Sequence, residues 1–340
     1  MSADTVASAT VASATPSMPV STGAAPRDIG FILTPDYALM SLASAVEPLR
    51  AANLLAGRML YRLHFFASAE GFVAASCGGG FVCKPLALAG SELDIAFVVA
   101  GGDPMRFTDP VLIHGLRGLQ ARRVRLGGIS GGGAILARHG LMQGRRFTLH
   151  WLHADALADQ QPDLLIERAL YVIDRDRYSC AGGVAALDMM CALIAGEHGA
   201  DFARAVSDWF IHPRLRTADE PQQLDPIDRY QLTHPMLVAA VRLMNSHLAD
   251  PLAPEQLASL SGGSPRQLQR LFQAQFKQPL MQFYRILRLE KADQLLAQST
   301  LSLGDIAQAT GFVSTAHFSR CFAAHFGMPP ARRRGAHLRG

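Results

Sequence analysis

Ser130 is the residue of this 340-residue chain that its neighbours best equip for covalent chemistry. It follows the apolar run Val124 to Ile129 and precedes Gly131-Gly132-Gly133 and then Ala134 to Arg138, which reads as strand, sharp turn and helix. A turn of that kind lifts a side chain above the sheet and faces it toward free N–H groups at a helix start, as a nucleophile elbow does. A serine hydroxyl needs a base to remove its proton and an acid to orient that base. His150 is the nearby candidate base, and the sequence names no orienting acid. Two readings stand. One is a hydrolase or amidase using Ser130 and His150. The other is a non-catalytic cleft in which Ser130, Gly131 and the backbone N–H groups hold a small ligand.

Further ligand-binding candidates surround this turn in the sequence. Glu47 and Asn53 lie on one helix, where Glu47 could hold a cationic group or simply pair with Arg50. Gly102 and Asp103 end the strand of Asp94-Ile-Ala-Phe-Val-Val-Ala-Gly-Gly-Asp-Pro104 and could supply backbone donors or form a plain turn. His150 and Trp151 offer a hydrogen-bonding ring beside an aromatic face, or a packed interior pair. Cys180 reads as a small buried residue, and Arg214 and Arg216 as either carboxylate binders or surface pairs.

A second kind of chemistry, contact with nucleic acid, belongs to the last hundred residues. Pro254 to Leu260 forms a short helix that a Ser-Gly-Gly turn ends. Ser264 then caps a second helix, with Pro265 at its first position and Leu268, Leu271 and Phe272 at helical spacing. That leaves Arg266, Gln267, Gln269, Arg270 and Gln273 outward. Leu303 to Thr310 repeats the pattern: Gly311 is a left-handed stop, Ser314 caps, Phe318, Phe322 and Phe326 recur every four residues, and Thr315, His317, Ser319 and Arg320 face out. Pro279 to Gln298 reads as one amphipathic helix between the two units, with Tyr284, Leu287, Leu295 and Leu296 inward. Two such recognition helices on a rigid spacer can enter successive major-groove faces. Gly263 stands where an apolar residue would staple the first recognition helix, which predicts a looser first unit.

Charge divides at the same place. Residues 228 to 340 hold 13 Lys and Arg against 6 Asp and Glu, which leaves 19 against 22 for residues 1 to 227. A basic carboxyl-terminal part on a mildly acidic body implies phosphate contacts. Part of the excess, Arg332 to Arg334, also fits a solvated, frayed end.

The elements that must position Ser130 alternate. Asp28 to Leu33, Tyr61 to Ala67 and Ile95 to Ala100 read as strands; Ala38 to Ala52 and Pro110 to Gln120 read as helices. The fold class predicted is α/β, a mainly parallel sheet flanked by helices, followed by an all-α carboxyl-terminal domain with two helix-turn-helix motifs. Sites in such sheets gather at the carboxyl edge of the strands. The organisation predicted is a disordered leader at 1–26 rather than a secretory signal, a ligand-sensing domain at 27–215, a linker at 216–230 and a DNA-binding domain at 231–335. No apolar run reaches the ~18 residues that span a bilayer. The five cysteines show no paired spacing and the twelve histidines include no HExxH, so neither a disulfide framework nor a metal site is expected.

The run RQLQRLFQAQFKQPLMQFYRILRLEKADQLL, followed by DIAQATGFVSTAHFSRCFAAHFGMPP, resembles the DNA-binding domain of the AraC family of transcriptional regulators. The body, through DIGFILTPDYALMSLASAVEPLRAAN, VVAGGDP, GLMQGRRFTLHW and YSCAGGVAALDMMCALI, resembles the glutamine amidotransferase-like (ThiJ/PfpI-like) domain that precedes it in one AraC subfamily. Catalytic members of that superfamily carry a cysteine at the elbow, and this chain carries Ser130. The resemblance implies a flavodoxin-like sheet and a non-enzymatic regulator without a cofactor, dimeric and cytoplasmic, with no membrane partner. It also implies promoter DNA, RNA polymerase and a small-molecule effector, amino-acid-derived or quaternary ammonium, as partners, and activation of catabolic genes. A constitutive DNA binder whose first domain only dimerises is a third reading.

Overall fold

The computed structural model describes residues 25–90, 92–223, 229–298 and 301–337. The chain divides into two compact units, the first made of the described residues to Leu149 with Leu165–Glu220, the second of His150–Leu164 with the described residues from Pro221 onward. Residues 1–24 of the expected leader lie outside the described residues.

The first unit is built on ten strands: β1 (Arg27–Leu33), β2 (Tyr61–Ala67), β3 (Gly71–Ala74), β4 (Gly80–Pro85), β5 (Ile95–Ala100), β6 (Arg125–Ser130), β7 (Arg146–Phe147), β8 (Leu165–Ile166), β9 (Tyr171–Asp174) and β10 (Arg177–Cys180). Eight of them form one sheet in the order β3-β4-β2-β1-β5-β6-β10-β9, and β7 pairs with β8 in a short parallel ribbon. The six inner strands run parallel, with an antiparallel strand at each edge. All six residues of β5 are buried, as a strand covered on both faces requires. The helices are α1 (Leu39–Ala56), α2 (Pro110–Ala121), α3 (Gly132–Arg138), α5 (Ala185–His198) and α6 (Ala200–Trp209); α4 (Trp151–Gln160) counts with the second unit. Ile29, Phe31, Leu33, Ile95, Phe97 and Val99 share one core with α1, α5 and α6. Alternation of side chains along a strand turns Val98 to the other face, where α3 lies.

The helix α3 rests so close to β5 that a Cβ on Gly132 would meet the Val98 carbonyl oxygen at 1.9 Å. This close approach, more than any turn, fixes glycine at 132.

The second unit continues with α7 (Pro235–Ser246), α8 (Pro254–Leu260), α9 (Pro265–Phe276), α10 (Leu280–Gln298), α11 (Leu303–Ala309), α12 (Thr315–Phe326) and α13 (Pro330–His337). The Ser264 and Ser314 hydroxyls cap α9 and α12 by accepting from Gln267 N and His317 N at 3.3 and 3.2 Å. Two aromatic-rich cores result. Leu280, Phe283, Tyr284 and Leu287 of α10 join α7, α8 and α9 in one, and Leu289, Ala292 and Leu296 of the same helix join α11 and α12 in the other.

Several elements escaped the sequence reading, β3, β9 and α7 among them. The strands β3 and β9 are four-residue edge strands, too short for a periodic signal. The helix α7 answers the absent staple: a Cβ at Gly263 would sit 2.5 Å from Met236 Cε, so a methionine from α7 occupies the space before the cap and the first unit is closed, not loosened. Arg333 likewise corrects the frayed-end reading, because its guanidinium grips both Asp293 oxygens at 2.9 Å and pins α13 to α10. Gln269 is exposed as read, and its side-chain oxygen also accepts from Leu280 N at 3.2 Å and closes the α9 to α10 turn.

Gly132→Ala should lower the stability of the first unit by about 2 kcal/mol or more, since the new methyl group has nowhere to go. Urea unfolding followed by circular dichroism measures it, and an unchanged midpoint would contradict the close approach.

Candidate ligand cleft and DNA-binding surface

Numbered in chain order, the six parallel strands β4-β2-β1-β5-β6-β10 run 3-2-1-4-5-6, so the winding direction reverses between β1 and β5. Ligands of doubly wound sheets bind in the crevice that this reversal opens beyond the strand ends. A cleft of about 300 Å³ lies there, formed by Thr34, Pro35 and Asp36 after β1, Ala100 to Pro104 after β5, and Phe107, Asp109 and Ile135. Asp36 takes the left-handed backbone, with φ 59°.

Ser130 ends the adjacent strand with φ 57°, a conformation that a non-glycine residue adopts under strain. The elbow geometry expected from the sequence is therefore present. Gly182, with φ 93°, crosses so near that a Cβ there would lie 2.5 Å from the Ser130 Cβ, and the serine is only 9% exposed. Cys180 lies beneath this turn, wholly buried, its thiol pushed up to about 12 by burial against opposing hydrogen bonds from the Gly182 and Ser130 backbone.

Not every expected ligand-binding residue joins this cleft. Gly102 and Asp103 line it. The Asp103 carboxylate accepts from Met105 N at 3.1 Å and caps the turn Pro104–Arg106, while burial raises its pKa. Gly131 is corrected: it is buried, and its N–H donates to the Ala100 carbonyl at 3.1 Å, so it is not a free donor. Asn53 is corrected as well. Its amide accepts from Leu60 N and Tyr61 N at 2.7 and 2.8 Å and donates to Tyr61 O at 2.7 Å, which places it where β2 begins, at the opposite edge of the sheet. Glu47, mid-helix, pairs with Arg50 at 2.7 Å as its plainer reading foresaw. His150 and Trp151 open the segment that counts with the second unit. The His150 Nδ1 accepts from Leu152 N at 3.3 Å as a helix cap, burial lowers its pKa, and its ring lies 5.2 Å from that of Trp151. Ser130 counts with the first unit and His150 with the second, and the Nδ1 that an orienting acid would hold accepts from Leu152 N instead.

The sequence reading missed Asp36, Phe107 and Asp109 in the cleft; Pro35-Asp36, directly after an apolar strand, was the available signal. It also missed Asp188. This carboxylate, fully buried on α5, accepts from Arg216 N, Nε and Nη2 at 2.9, 3.0 and 2.7 Å, with His212 Nε2 at 3.5 Å. Arg216 is therefore an anchor for the segment leaving the first unit, and Arg214 makes a surface pair with Glu220. The expected linker is tied down over its first residues, since Leu170 N also donates to Ala218 O at 2.8 Å.

On the second unit, Arg266, Gln267, Arg270 and Gln273 of α9 and Thr315 and Arg320 of α12 are exposed. Ser319 is half-buried. His317 is also half-buried, its ring edge-on to Phe312 at 5.7 Å, and its Nδ1 is enclosed without a partner. The helix-turn-helix domain family (HTH_18) matches residues 257–336, which hold α9 to α12. HTH-type transcriptional regulator GlxA of Rhizobium meliloti is 45% identical over 307 residues, covering 90% of this chain and 95% of its own length. The chain belongs to the AraC family of transcriptional regulators. HTH-type transcriptional regulator CdhR of Pseudomonas aeruginosa is 39% identical, with 91% of each chain covered. A crystal structure of an AraC family transcriptional regulator from Pseudomonas putida matches with TM-score 0.50 at 26% identity, over 54% of this chain and all of that one. A THiJ/PfpI family protein from Pseudomonas syringae matches with TM-score 0.51 at 19% identity, over 70% of this chain and 91% of that one, and shows the ThiJ/PfpI fold. This AraC regulator thus joins a ThiJ/PfpI-like α/β domain to a helix-turn-helix domain.

Two substitutions separate support from binding. Asn53→Ala should cost about 2 kcal/mol of stability through its lost hydrogen bonds to the start of β2, yet leave ligand-induced thermal shifts unchanged. Asp188→Ala strands the Arg216 guanidinium and should destabilise by about 3 kcal/mol, read by thermal unfolding.

Proposed function

We propose that this AraC regulator senses a small cationic metabolite in the cleft between β1 and β5 and alters promoter binding in response. The observation that carries the reading is the cleft itself, at the winding reversal, whose lining includes Asp36, Asp103 and Asp109 together with Phe107. Asp103 and Asp109 each use one oxygen to cap a helical turn, leaving the other for a ligand. Carboxylates beside an aromatic face suit an ammonium or quaternary ammonium group. Arg138 donates to the carbonyls of Pro104 and Phe107 and holds the cleft loop in place. The strained Ser130 backbone supports a site derived from an elbow, and a serine lacking a placed base and acid supports binding over hydrolysis.

The further partners follow from the regulator's role. RNA polymerase and a second copy of the chain act with it at promoter DNA, in the cytoplasm, and transcription of catabolic genes rises when the effector binds. The segment anchored at Asp188 carries the ligand state out of the first unit. No helix among the described residues is long and apolar enough to cross a membrane.

Thermal unfolding of the full chain against amino acids, betaines, carnitine, polyamines and short carboxylates tests the sensor reading, because a ligand that binds only the native state raises the midpoint. A saturable shift with cationic compounds is expected, reduced by Asp36→Asn and Asp103→Asn; shifts confined to carboxylates would overturn the cleft chemistry. Arg270→Ala and Arg320→Ala should each weaken operator binding by about 1–3 kcal/mol in a gel-shift titration.

A further inference from the structure

Beside the outward face of α12 lies a groove of about 380 Å³ between that helix and α10. Arg320, His317 and His325 of α12 form one wall with Cys321 and Ala324; Gln282 and Arg285 of α10 form the other, over Ile286 and Leu289. Its lining contains no carboxylate. The other clefts differ: the one at Arg146 includes Glu167 and Asp219, the one at Arg27 includes Glu197, and the sensor cleft has three aspartates. Neighbouring arginines on α10 and α13 are engaged in holding the fold. Arg288 donates to the Thr310 and Gly311 carbonyls at 2.7 and 2.6 Å, with its guanidinium 4.3 Å from the Phe312 ring centroid, and Arg333 grips Asp293. Among the described residues, Arg285 and Arg320 make no ion pair, and both are exposed.

We infer that this groove seats a phosphate of the DNA backbone, with Arg285 on the spacer helix completing a clamp that Arg320 begins on the recognition helix. The inference rests on the DNA-binding reading of the second unit and adds to it a contact outside both helix-turn-helix motifs. Arginine suits the position because its planar fork offers two parallel N–H donors to phosphate oxygens. A guanidinium fixed to a helix that two cores hold stays in register with α12. Such a contact sets affinity and orientation and reads no base.

The test uses the full chain and two unrelated fluorescein-labelled 30-base-pair duplexes, with binding followed by anisotropy from about 50 to 300 mM NaCl. Each phosphate contact contributes about 0.9 to the slope of log affinity against log salt. Arg285→Ala and Arg285→Gln should both lower that slope by about 0.9 and weaken binding several-fold at low salt, equally on both duplexes. Arg285→Lys, which keeps the charge, should retain the slope. Unchanged slopes in the alanine and glutamine variants would overturn the clamp while leaving DNA binding intact. A loss confined to one duplex would make Arg285 a base reader and overturn the phosphate assignment. Failure of the unaltered chain to bind either duplex would instead strike the DNA-binding reading, and the clamp with it.

Discussion

The DNA-binding half of this regulator depends on one constraint: α10 is buried at both ends, in two different cores. Leu280 to Leu287 belongs with the first helix-turn-helix and Leu289 to Leu296 with the second, so neither unit can tilt without dragging a buried leucine or aromatic residue with it. Packed interiors resist such movement because a side chain pulled away from its neighbours leaves a void that nothing else is shaped to fill. The Arg288 guanidinium sits at the changeover and ties α10 to the carbonyls that end α11. A spacer held in this way turns two short recognition helices into one reading head.

The first unit rests on backbone proximity instead. Gly132 lets α3 lie against Val98, and Gly182 lets the loop after β10 pass over Ser130. These approaches fix the elbow in its left-handed conformation and enclose the serine, while the adjacent winding reversal opens the cleft beside it. The ThiJ/PfpI-like fold thus holds a strained turn at the end of β6 and a cleft with three aspartates beyond β1 and β5.

Asp188 connects that scaffold to the exit of the chain. A carboxylate buried without a cation would be unstable, so Arg216 and the segment around it are held wherever α5 is held. The start of α5 follows Gly182 and Gly183, and the Gly183 N–H donates to Ser41 Oγ at 2.7 Å, so the anchor belongs to the same element that borders the elbow.

The sequence by itself determined the elements with strong local codes. Ser264-Pro265 and Ser314 mark helix starts because a hydroxyl cap and a proline's fixed φ act within four residues. The fully apolar β5 reveals its burial, and the glycine run after Ile129 announces the elbow. Expectations failed where partners come from far along the chain. Asn53 reads like a cleft residue until β2 is seen to begin against it; Gly263 reads like a defect until Met236 fills its place; Gly131 offers a donor until the Ala100 carbonyl takes it. Only the tertiary structure brought Asp36, Asp103 and Asp109 together, placed Arg216 on Asp188 and set Arg285 opposite Arg320. Local preferences act through the backbone within a turn or two, whereas charge pairing, close approach and cleft composition depend on which distant segments the fold packs side by side.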